Sequence, residues 1–462
     1  MQDDIVRHVK AEQIRSVIRY MRKFKNAVVV IYLDDELIDS PLFPGHIRDI
    51  CLIHATGLKV LLVPGSRHHI DSMLSDAGIS WKIKDGSRLT DEQAMPIIKN
   101  AAFDVSNTVM TALAGEHITA VIGNWVRARA KGVLDGVDYG TAGEIDKLEL
   151  ESIRTILENG FIPIFPCIGW SITGRPYNIS SLQLAQQIAV HLKADKLFYI
   201  LPHAEITKEL FVIPETIGLS ADGCVPSMNL EELEEFISAN DGSGTDAGTN
   251  MPVPSAAAGD DDIKGRILSL LQLSEQACRN GVNRAHIING TLDGSLPCEI
   301  FSDLGSGTMI YTNNYGGIRP MKQEDIPGVL RVMNPFVKKG ILLQRTSRQL
   351  MQQLDDYIVY ELDGGIRACA ALHTYSGNQA EIAGVAVDET CAHIGIGPKI
   401  ISYLIDRANS RKIASVFVLT TQTSDWFEKL GFVHDDISSL PEKRRELWTP
   451  VRNSKVFRIK LH

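Results

Sequence analysis

Short apolar runs separated by longer amphipathic stretches fill the first half of the chain. Five runs have the length and β-branched content of one strand each: AVVVIYL (27–33), LKVLLVPG (58–65), HITAVIG (117–123), FIPIFPCIG (161–169) and KLFYIL (196–201). Further stretches, TALAG and AQQIAVHLKA among them, continue the alternation. Continuous apolar strands that alternate with helices are typical of a parallel sheet covered on both faces. The pattern predicts an α/β fold with a doubly wound sheet.

A different pattern begins at Ile318. It opens with a short strand and a helix with an acidic first turn, in IRPMKQEDIPGVLRVM. The strands YIVYEL, IRACAALHTYS, QAEIAGVAV and ASVFVLTT then bracket one glycine-bearing helix. Residues 318–462 are enough for a second α/β domain, and YTNNYGG (311–317) predicts the linker before it.

Two segments of the first half lie outside the sheet pattern. Residues 1–25 have apolar positions at helical spacing, which predicts an N-terminal helix that covers the body or contacts another subunit. The first domain then spans 26–312. Within it, residues 238–262 are polar and of low complexity, which predicts a mobile insertion. A helix over 263–281 with Gly281 as its cap follows.

Composition and charge exclude several classes of function. A chain of 462 residues needs more than one core. Its net charge of −9 argues against nucleic acid or an anionic membrane as a partner. The seven cysteines are dispersed and form no CxxC pair, which indicates reduced thiols and no metal site. No signal peptide and no apolar run of about 20 residues are evident, so we expect a cytoplasmic protein.

The loop before the glycine-bearing helix is the first candidate for chemistry. Gly395 and Gly397 follow a strand, and Pro398 comes next in the first turn of the helix. Backbone N–H groups from His393 to Gly397, together with the helix dipole, could hold a pyrophosphate. The glycine pair alone is equally compatible with an ordinary tight turn.

Several segments of the second domain resemble the GCN5-related N-acetyltransferase (GNAT) family. They are IRPMKQEDIP, AEIAGVAVDETCAHIGIGPKIISYLID, VFVLTT and WFEKLGF. The family loop reads Gln/Arg-x-x-Gly-x-Gly/Ala and holds the pyrophosphate of acetyl-CoA. Residues 392–397 keep both glycines but begin with Ala392, so backbone donors must suffice. The resemblance implies acetyl-CoA as co-substrate and assigns its binding to Val385, Val387, His393, Ile394, Gly395 and Gly397.

Nearly the whole chain is similar to the bacterial N-acetylglutamate synthase family, in which an amino-acid-kinase-like domain precedes the GNAT domain. GILLQRTSRQL (340–350), LPEKRRELW (440–448) and RNSKVF (452–457) carry the similarity. It implies transfer of an acetyl group to the α-amine of L-glutamate, the first step of arginine biosynthesis. It also implies no metal and no ATP as cofactors.

The similarity assigns four residues to this reaction. Arg345 and Arg452 would bind the two glutamate carboxylates, because an arginine fork suits a carboxylate. Glu381 would be the base for the ammonium group, directly or through a water, and Ser454 the acid for the departing thiolate. Each has a simpler interpretation: solvated surface arginines, an edge-strand glutamate facing solvent, and a serine that only makes a hydrogen bond.

The first domain lacks the residues that kinases of its fold place on ATP. Asp34 and Asp35 stand where related kinases have glycines, and two carboxylates would repel a polyphosphate. The second glycine cluster is replaced by Pro-Gly-Ser-Arg (64–67), and SLLQL near 269 offers no lysine. Phosphoryl transfer depends on positioning and neutralising charge, so we expect no kinase activity.

The similarity instead implies a regulatory site for L-arginine, which would inhibit the enzyme. Tyr20, Glu299 and Gly307 match its positions, although they could equally be a packing aromatic, a surface charge and a turn. A homo-oligomer is expected, with a ring-like hexamer as one candidate. Two functional alternatives stay open: a catalytically weak arginine-sensing protein, and an acetyltransferase for another amine.

Overall fold

The chain forms two compact units, Met1–Thr312 and Asn313–His462. A computed structural model describes residues 17–18, 20–22, 24–84, 87–89, 91–220, 222–240, 260–301, 305–312, 316–362, 365–388, 395–450 and 452–461. Residues 17–18 and 20–22 are helical, while the remainder of the predicted helix 1–25 lies largely outside the described residues. The same holds for most of the predicted insertion 238–262.

The first unit contains sixteen short strands and nine helices in its described part. The strands are β1 (Val28–Leu33), β2 (Lys59–Pro64), β3 (Lys82–Lys84), β4 (Ser87–Leu89), β5 (Ala120–Ile122), β6 (Val126–Ala130), β7 (Val133–Leu134), β8 (Val137–Asp138), β9 (Gly143–Leu148), β10 (Ile162–Ile164), β11 (Ile168–Trp170), β12 (Pro176–Asn178), β13 (Lys196–Leu201), β14 (Ser227–Asn229), β15 (Arg284–Asn289) and β16 (Thr308–Tyr311). The helices are α1 (Asp35–Ile38), α2 (Phe43–Ala55), α3 (Arg67–Asp76), α4 (Met95–Gly115), α5 (Leu150–Glu158), α6 (Ser181–Leu192), α7 (Leu230–Asn240), α8 (Asp260–Arg279) and α9 (Ser295–Phe301).

Eight of these strands form one sheet in the order β14-β16-β15-β13-β1-β2-β10-β5. Only β15 and β16 pair antiparallel within it. Alternate residues of β1 enter two separate cores: Val30 and Tyr32 pack on one face, and Val29 and Ile31 on the other. Both faces are therefore covered, and the predicted doubly wound sheet is confirmed.

The prediction of one strand over 161–169 is wrong. The segment forms β10 in the large sheet and then β11 in a second sheet, ordered β12-β11-β6-β9. Pro166 lies between the two strands, where the Ile168 N–H turns back to its carbonyl at 2.7 Å. Because proline has no N–H for a strand ladder, the strand breaks there and the chain crosses to the other sheet.

The ends of the predicted insertion belong to helices instead. Ser238–Asn240 finish α7, and α8 begins at Asp260, three residues before the predicted start. The Asn240 side chain donates to the Val212 carbonyl at 2.7 Å and to the Phe236 carbonyl at 2.9 Å. These bonds anchor the last turn of α7 to the body of the unit.

The second unit is a single seven-stranded sheet with helices on both faces. Its elements are β17 (Gly316–Pro320), α10 (Ile326–Lys338), α11 (Ser347–Gln352), β18 (Tyr357–Leu362), β19 (Gly365–Tyr375), β20 (Gln379–Val387), α12 (Ile396–Ser410), β21 (Ser415–Thr420), α13 (Ser424–Lys429), β22 (Val433–Asp435), α14 (Glu442–Arg445) and β23 (Lys455–Lys460). The strand order is β17-β18-β19-β20-β21-β23-β22. Residues of α10 pack on one face and those of α12 on the other.

Within the described ranges, no helix is long and apolar enough to cross a lipid bilayer.

Candidate functional site

Glu381 lies inside the sheet of the second unit. It belongs to β20, which β19 and β21 flank, and its side chain is only 6% exposed. Its Oε2 accepts hydrogen bonds from Arg444 Nε at 2.7 Å and from the Tyr375 hydroxyl at 3.0 Å. The alternative of an edge-strand glutamate facing solvent is therefore wrong.

Arg444, which pairs with Glu381, was not singled out from the sequence. It lies on α14, where Lys443, Arg444 and Arg445 are consecutive. Nothing in the segment LPEKRRELW distinguishes one of these three bases from the others, because only the docking of α14 decides which one reaches the sheet.

Of the two arginines predicted to bind carboxylates, Arg452 lies near both Arg444 and Arg345. Arg452 is partly buried, and its guanidinium donates to the Ile341 carbonyl. Burial lowers the pKa of Arg452, and the positive charges of Arg444 and Arg345 lower it further. The structure thus brings together three arginines, which we call the arginine cluster, and Arg444 joins them to Glu381. A cluster of this kind favours an anionic ligand.

Arg345 lies in the loop between α10 and α11, next to Tyr357. Burial raises the pKa of Tyr357, and the neighbouring Arg345 charge acts against this. Arg345 Nε and the Tyr357 hydroxyl are both buried, and a side-chain hydrogen bond between the two residues also acts against the effect of burial on the pKa of Tyr357. The loop that carries Arg345 is therefore held against β18 through Tyr357.

Ser454 is buried just before β23. Its backbone carbonyl accepts a hydrogen bond from the Trp448 indole at 3.1 Å. This contact ties the segment after α14 to the start of β23. The role of the Ser454 hydroxyl stays a prediction.

An opening between β20 and β21 lies beside Glu381. The parallel register of the two strands runs from Gln379 opposite Ser415 to Ile382 opposite Val418 and goes no further. Beyond it, Gly384 has φ +62°, and the pairing of β20 with β19 shifts register there. The half of β20 that contains Val385 and Val387 is therefore not paired with β21. Their backbone groups on that side can accept an extended ligand such as a pantetheine chain.

The glycine loop precedes α12, as the sequence predicts. Gly395 is the N-cap of α12 and has φ 71°, a conformation that other residues rarely adopt. A Cβ on Gly397 would lie 3.1 Å from the Trp426 ring, so a larger residue would press against this ring. The first turn of α12 points N–H groups outward, as an anion site requires. His393 and Ile394 lie outside the described residues.

In the first unit, Asp34 and Asp35 occupy the turn where related kinases have glycines, and both residues are buried. Asp34 is buried, accepts from the Tyr32 hydroxyl at 2.8 Å and pairs with Arg266. Asp35 accepts from the His69 N–H at the start of α3, at 3.0 Å. Burial and the nearby Asp34 charge raise the pKa of Asp35 to about 6. The absence of kinase activity stays a prediction, which these buried carboxylates favour.

Two residues assigned to the regulatory site, Glu299 and Gly307, are in contact. Glu299 is buried and accepts from the Gly307 N–H at 2.9 Å and from His286 Nδ1 at 2.6 Å. Burial alone would raise the pKa of Glu299, but these hydrogen bonds hold it below its usual value. Burial lowers the pKa of His286 to about 4, so the histidine is neutral at pH 7. A surface charge at Glu299 is therefore wrong.

Gly307 is required by packing. A Cβ at this position would collide with the Ile287 carbonyl of β15, so no larger residue fits against the strand. The interpretation of Gly307 as a simple turn glycine is incomplete, because the close approach decides the residue.

Tyr20 stacks on Phe24, with ring centroids 5.9 Å apart. Phe24 in turn lies under two cations, 4.5 Å from Lys196 Nζ and 5.6 Å from the Arg284 guanidinium. Lys196 begins β13 and Arg284 begins the neighbouring β15, which also carries His286. Tyr20 therefore lies near the start of β15, the strand whose His286 contacts Glu299. Its role as an effector contact stays a prediction.

Two family models match the chain. The amino acid kinase family matches residues 28–201, and the acetyltransferase (GNAT) domain matches residues 353–434. An amino-acid acetyltransferase of Shewanella oneidensis is 30% identical over 452 residues, which are 96% of this chain and 95% of the relative. The chain belongs to the amino-acid acetyltransferase family. The prediction of an N-acetyltransferase with a kinase-like first domain is thereby confirmed.

Solved structures agree with membership of the amino-acid acetyltransferase family. The N-acetylglutamate synthase from Neisseria gonorrhoeae, complexed with coenzyme A and L-arginine, has a TM-score of 0.76 at 28% identity, with 98% of this chain and 99% of that one covered. The same synthase complexed with coenzyme A and N-acetyl-glutamate has a TM-score of 0.58. In the described part of this chain, no group of three or more His, Cys, Asp or Glu side chains is placed to hold a metal ion.

Proposed function

We propose that the protein transfers the acetyl group of acetyl-CoA to the α-amine of L-glutamate. The observation that carries this proposal is the arginine cluster beside the buried carboxylate of Glu381. A dicarboxylic amino acid brings two negative charges and one ammonium group, and this set of residues complements all three. The gonococcal synthase, seen with coenzyme A and with N-acetyl-glutamate, supports the same substrates.

The reaction would proceed by direct attack of the amine on the thioester. Arg345 and Arg452 hold the glutamate carboxylates, and Glu381 takes a proton from the ammonium group, directly or through a water. The free amine attacks the acetyl carbonyl and the C–S bond breaks, while Ser454 donates a proton to the departing thiolate and takes up the surplus proton of the new amide nitrogen. Acetyl-CoA lies in the opening between β20 and β21, held by the backbone of Val385 and Val387 and by the loop His393, Ile394, Gly395 and Gly397.

L-Arginine is the proposed inhibitor, bound to the kinase-like unit at Tyr20, Glu299 and Gly307. The ionised, buried Glu299 suits a guanidinium, and the gonococcal synthase is known in complex with L-arginine. A cytoplasmic homo-oligomer, such as a hexamer, would complete this arrangement. Two alternatives remain: an arginine sensor with weak catalysis, and an enzyme that acetylates another amine.

Release of free CoA from acetyl-CoA tests the proposed function. We expect release with glutamate, and a much slower reaction with amines that lack the second carboxylate. Arg345→Ala should raise the glutamate KM about 10-fold or more, since a bidentate charged contact is lost. Arg348→Ala is the matched control, because Arg348 is exposed on the adjacent helix α11.

The outcomes separate the alternatives. A folded protein that releases no CoA with glutamate contradicts the proposal. If turnover is faster with another amine, that amine is the substrate. An unchanged glutamate KM in Arg345→Ala removes this residue from the carboxylate site. Titration of turnover with L-arginine tests the proposed inhibition.

A further inference from the structure

His373 and Glu381 are neighbours on two adjacent strands, β19 and β20. The antiparallel register of β19 and β20 places His373 directly opposite Glu381. Side chains of directly opposite residues lie on the same face, with Cβ atoms about 4.5–5.5 Å apart. His373 therefore shares the face of the sheet on which Glu381 meets Arg444. Its side chain is 13% exposed.

The imidazole of His373 is oriented by an acid. Its Nδ1 lies 2.8 Å from the Oδ2 of Asp356, and its ring meets the Tyr357 ring edge-on with centroids 6.0 Å apart. Because an ionised carboxylate only accepts hydrogen bonds, Nδ1 carries a proton and donates it. The other nitrogen, Nε2, then has its lone pair available to accept a proton.

Glu381 by itself is poorly suited to retain the proton of the substrate. Its Oε2 already accepts from Arg444 and from the Tyr375 hydroxyl. Two donors already occupy this oxygen, so the substrate proton needs a further acceptor close by. An enzyme working near neutral pH needs a nearby group that binds a proton in that range.

We propose that His373 receives this proton and is the relay partner of Glu381. The inference rests on the acetyl transfer proposed above. The ammonium group of the acceptor gives one proton to Glu381, which passes it to His373 Nε2, directly or through a water. The neutral amine then attacks the thioester carbon, the C–S bond breaks, and the surplus proton of the new amide nitrogen passes through Ser454 to the CoA thiolate. The imidazolium returns its proton to solvent before the next turnover.

His373 acts through Glu381, so it is a positioning and relay residue. Asp356 and Tyr357 contact His373, and Glu381 lies opposite it. The ionisable side chains next to these three are Tyr375 and Arg444 at Glu381, Arg345 at Tyr357, and Arg407 of α12 near Asp356. Burial raises the pKa of both tyrosines, which stay neutral. Histidine is the side-chain type in this group that ordinarily titrates near neutral pH.

A pH profile of the full-length enzyme tests the relay. For the wild type we expect kcat with glutamate to rise with pH between about 5.5 and 7.5, where an imidazole loses its proton. His373→Gln should lower kcat roughly 10- to 100-fold and remove that rise. The glutamate KM should change less than about twofold, because no carboxylate contact is lost. His434→Gln is the matched control, since His434 is an exposed histidine of β22 in the same unit.

Each outcome decides the question. A variant with the wild-type pH profile overturns the relay even if its kcat is low, because a purely structural role lowers kcat without moving the profile. Failure of glutamate as a substrate overturns the proposed function alone if another amine supports turnover. The same pH comparison with that amine then decides the role of His373. If no amine is acetylated, both proposals are wrong.

Discussion

Glu381 and Arg444 form a pair in which each side chain depends on the other. Their exposed fractions are 6% and 17%, so neither charge is well solvated without its partner. Arg444→Ala should lower the stability of the second unit by roughly 3 kcal/mol and lower kcat/KM for glutamate by about 100-fold. Denaturant unfolding and initial rates measure the two effects.

Two further variants separate charge pairing from catalysis. Arg445→Ala, the adjacent exposed base of α14, should behave as the wild type. The double variant Arg444→Met with Glu381→Gln should regain most of the lost stability, because no buried charge remains unpaired, while activity stays low. If Arg444→Ala unfolds at the same denaturant concentration as the wild type, the proposed dependence of Glu381 on Arg444 is contradicted.

Asp35 should give the first unit a pH dependence of unusual sign. Its pKa rises from 3.8 to about 6 because of burial and the Asp34 charge. Between these values the folded state binds more protons than the unfolded state, so stability falls as pH rises through the window. The change is at most about 3 kcal/mol. Asp35→Asn should gain stability relative to the wild type between pH 4 and 7.

Denaturant unfolding of the first unit at several pH values measures this gain. Asp39→Asn is the control, because Asp39 is exposed next to the same short helix. A stability difference between Asp35→Asn and the wild type that does not vary with pH would show that the Asp35 carboxyl titrates normally.

The sequence could name Arg345, Arg452 and Glu381 but not Arg444 or His373. The first three match positions to which the resemblance assigns a role, whereas Arg444 is one of three consecutive bases in the resembling segment LPEKRRELW. Arg444 depends on how α14 docks, and His373 on the exact register of β19 against β20. Register and docking are fixed by long-range contacts, which a single sequence does not reveal.

At the scale of elements, the loop before α12 shows why glycine is needed at a defined place. Gly395→Ala would force an alanine to φ 71°, at a cost of roughly 1 kcal/mol or more, and tilt the first N–H groups of α12. We expect the KM for acetyl-CoA to rise about 5-fold and the KM for glutamate to stay the same. Initial rates with each substrate varied measure both.

Gly431→Ala is the matched control for this prediction. Gly431 has φ +86° in a turn between α13 and β22, so an alanine there is similarly strained. It should lower stability without changing the KM for acetyl-CoA. An equal rise of the KM for acetyl-CoA in Gly395→Ala and Gly431→Ala would indicate general loosening of the unit rather than loss of the anion site.

Strands with a clear run of apolar residues could be predicted from the sequence. The points at which such a run is divided or ends could not. The strands 196–201, 357–362 and 379–387 have the bounds read from the sequence. The run 161–169 was apolar throughout, yet a proline divides it between two sheets. Likewise, composition predicted that the insertion starts at residue 238. The helix α7 instead continues to Asn240, because the Asn240 side chain donates hydrogen bonds to the body of the unit.

At the scale of the whole molecule, an effector bound to one unit would control turnover in the other. Glu299→Gln removes the buried negative charge proposed to meet the guanidinium of L-arginine. We expect the arginine concentration for half-maximal inhibition to rise about 10-fold or more. Turnover measured with increasing L-arginine checks this. Glu209→Gln, at an exposed site of the same unit, should leave the inhibition curve unchanged.

Acetyl-CoA bound where β20 and β21 separate would also stabilise the fold of the second unit. An extended molecule bound there would act as a missing strand, so the second unit and its cofactor would share one cooperative network. At a ligand concentration of 100 times Kd, such linkage adds about 2.7 kcal/mol to folding. The acetyl-CoA level of the cell would then determine the lifetime of the enzyme as well as its rate.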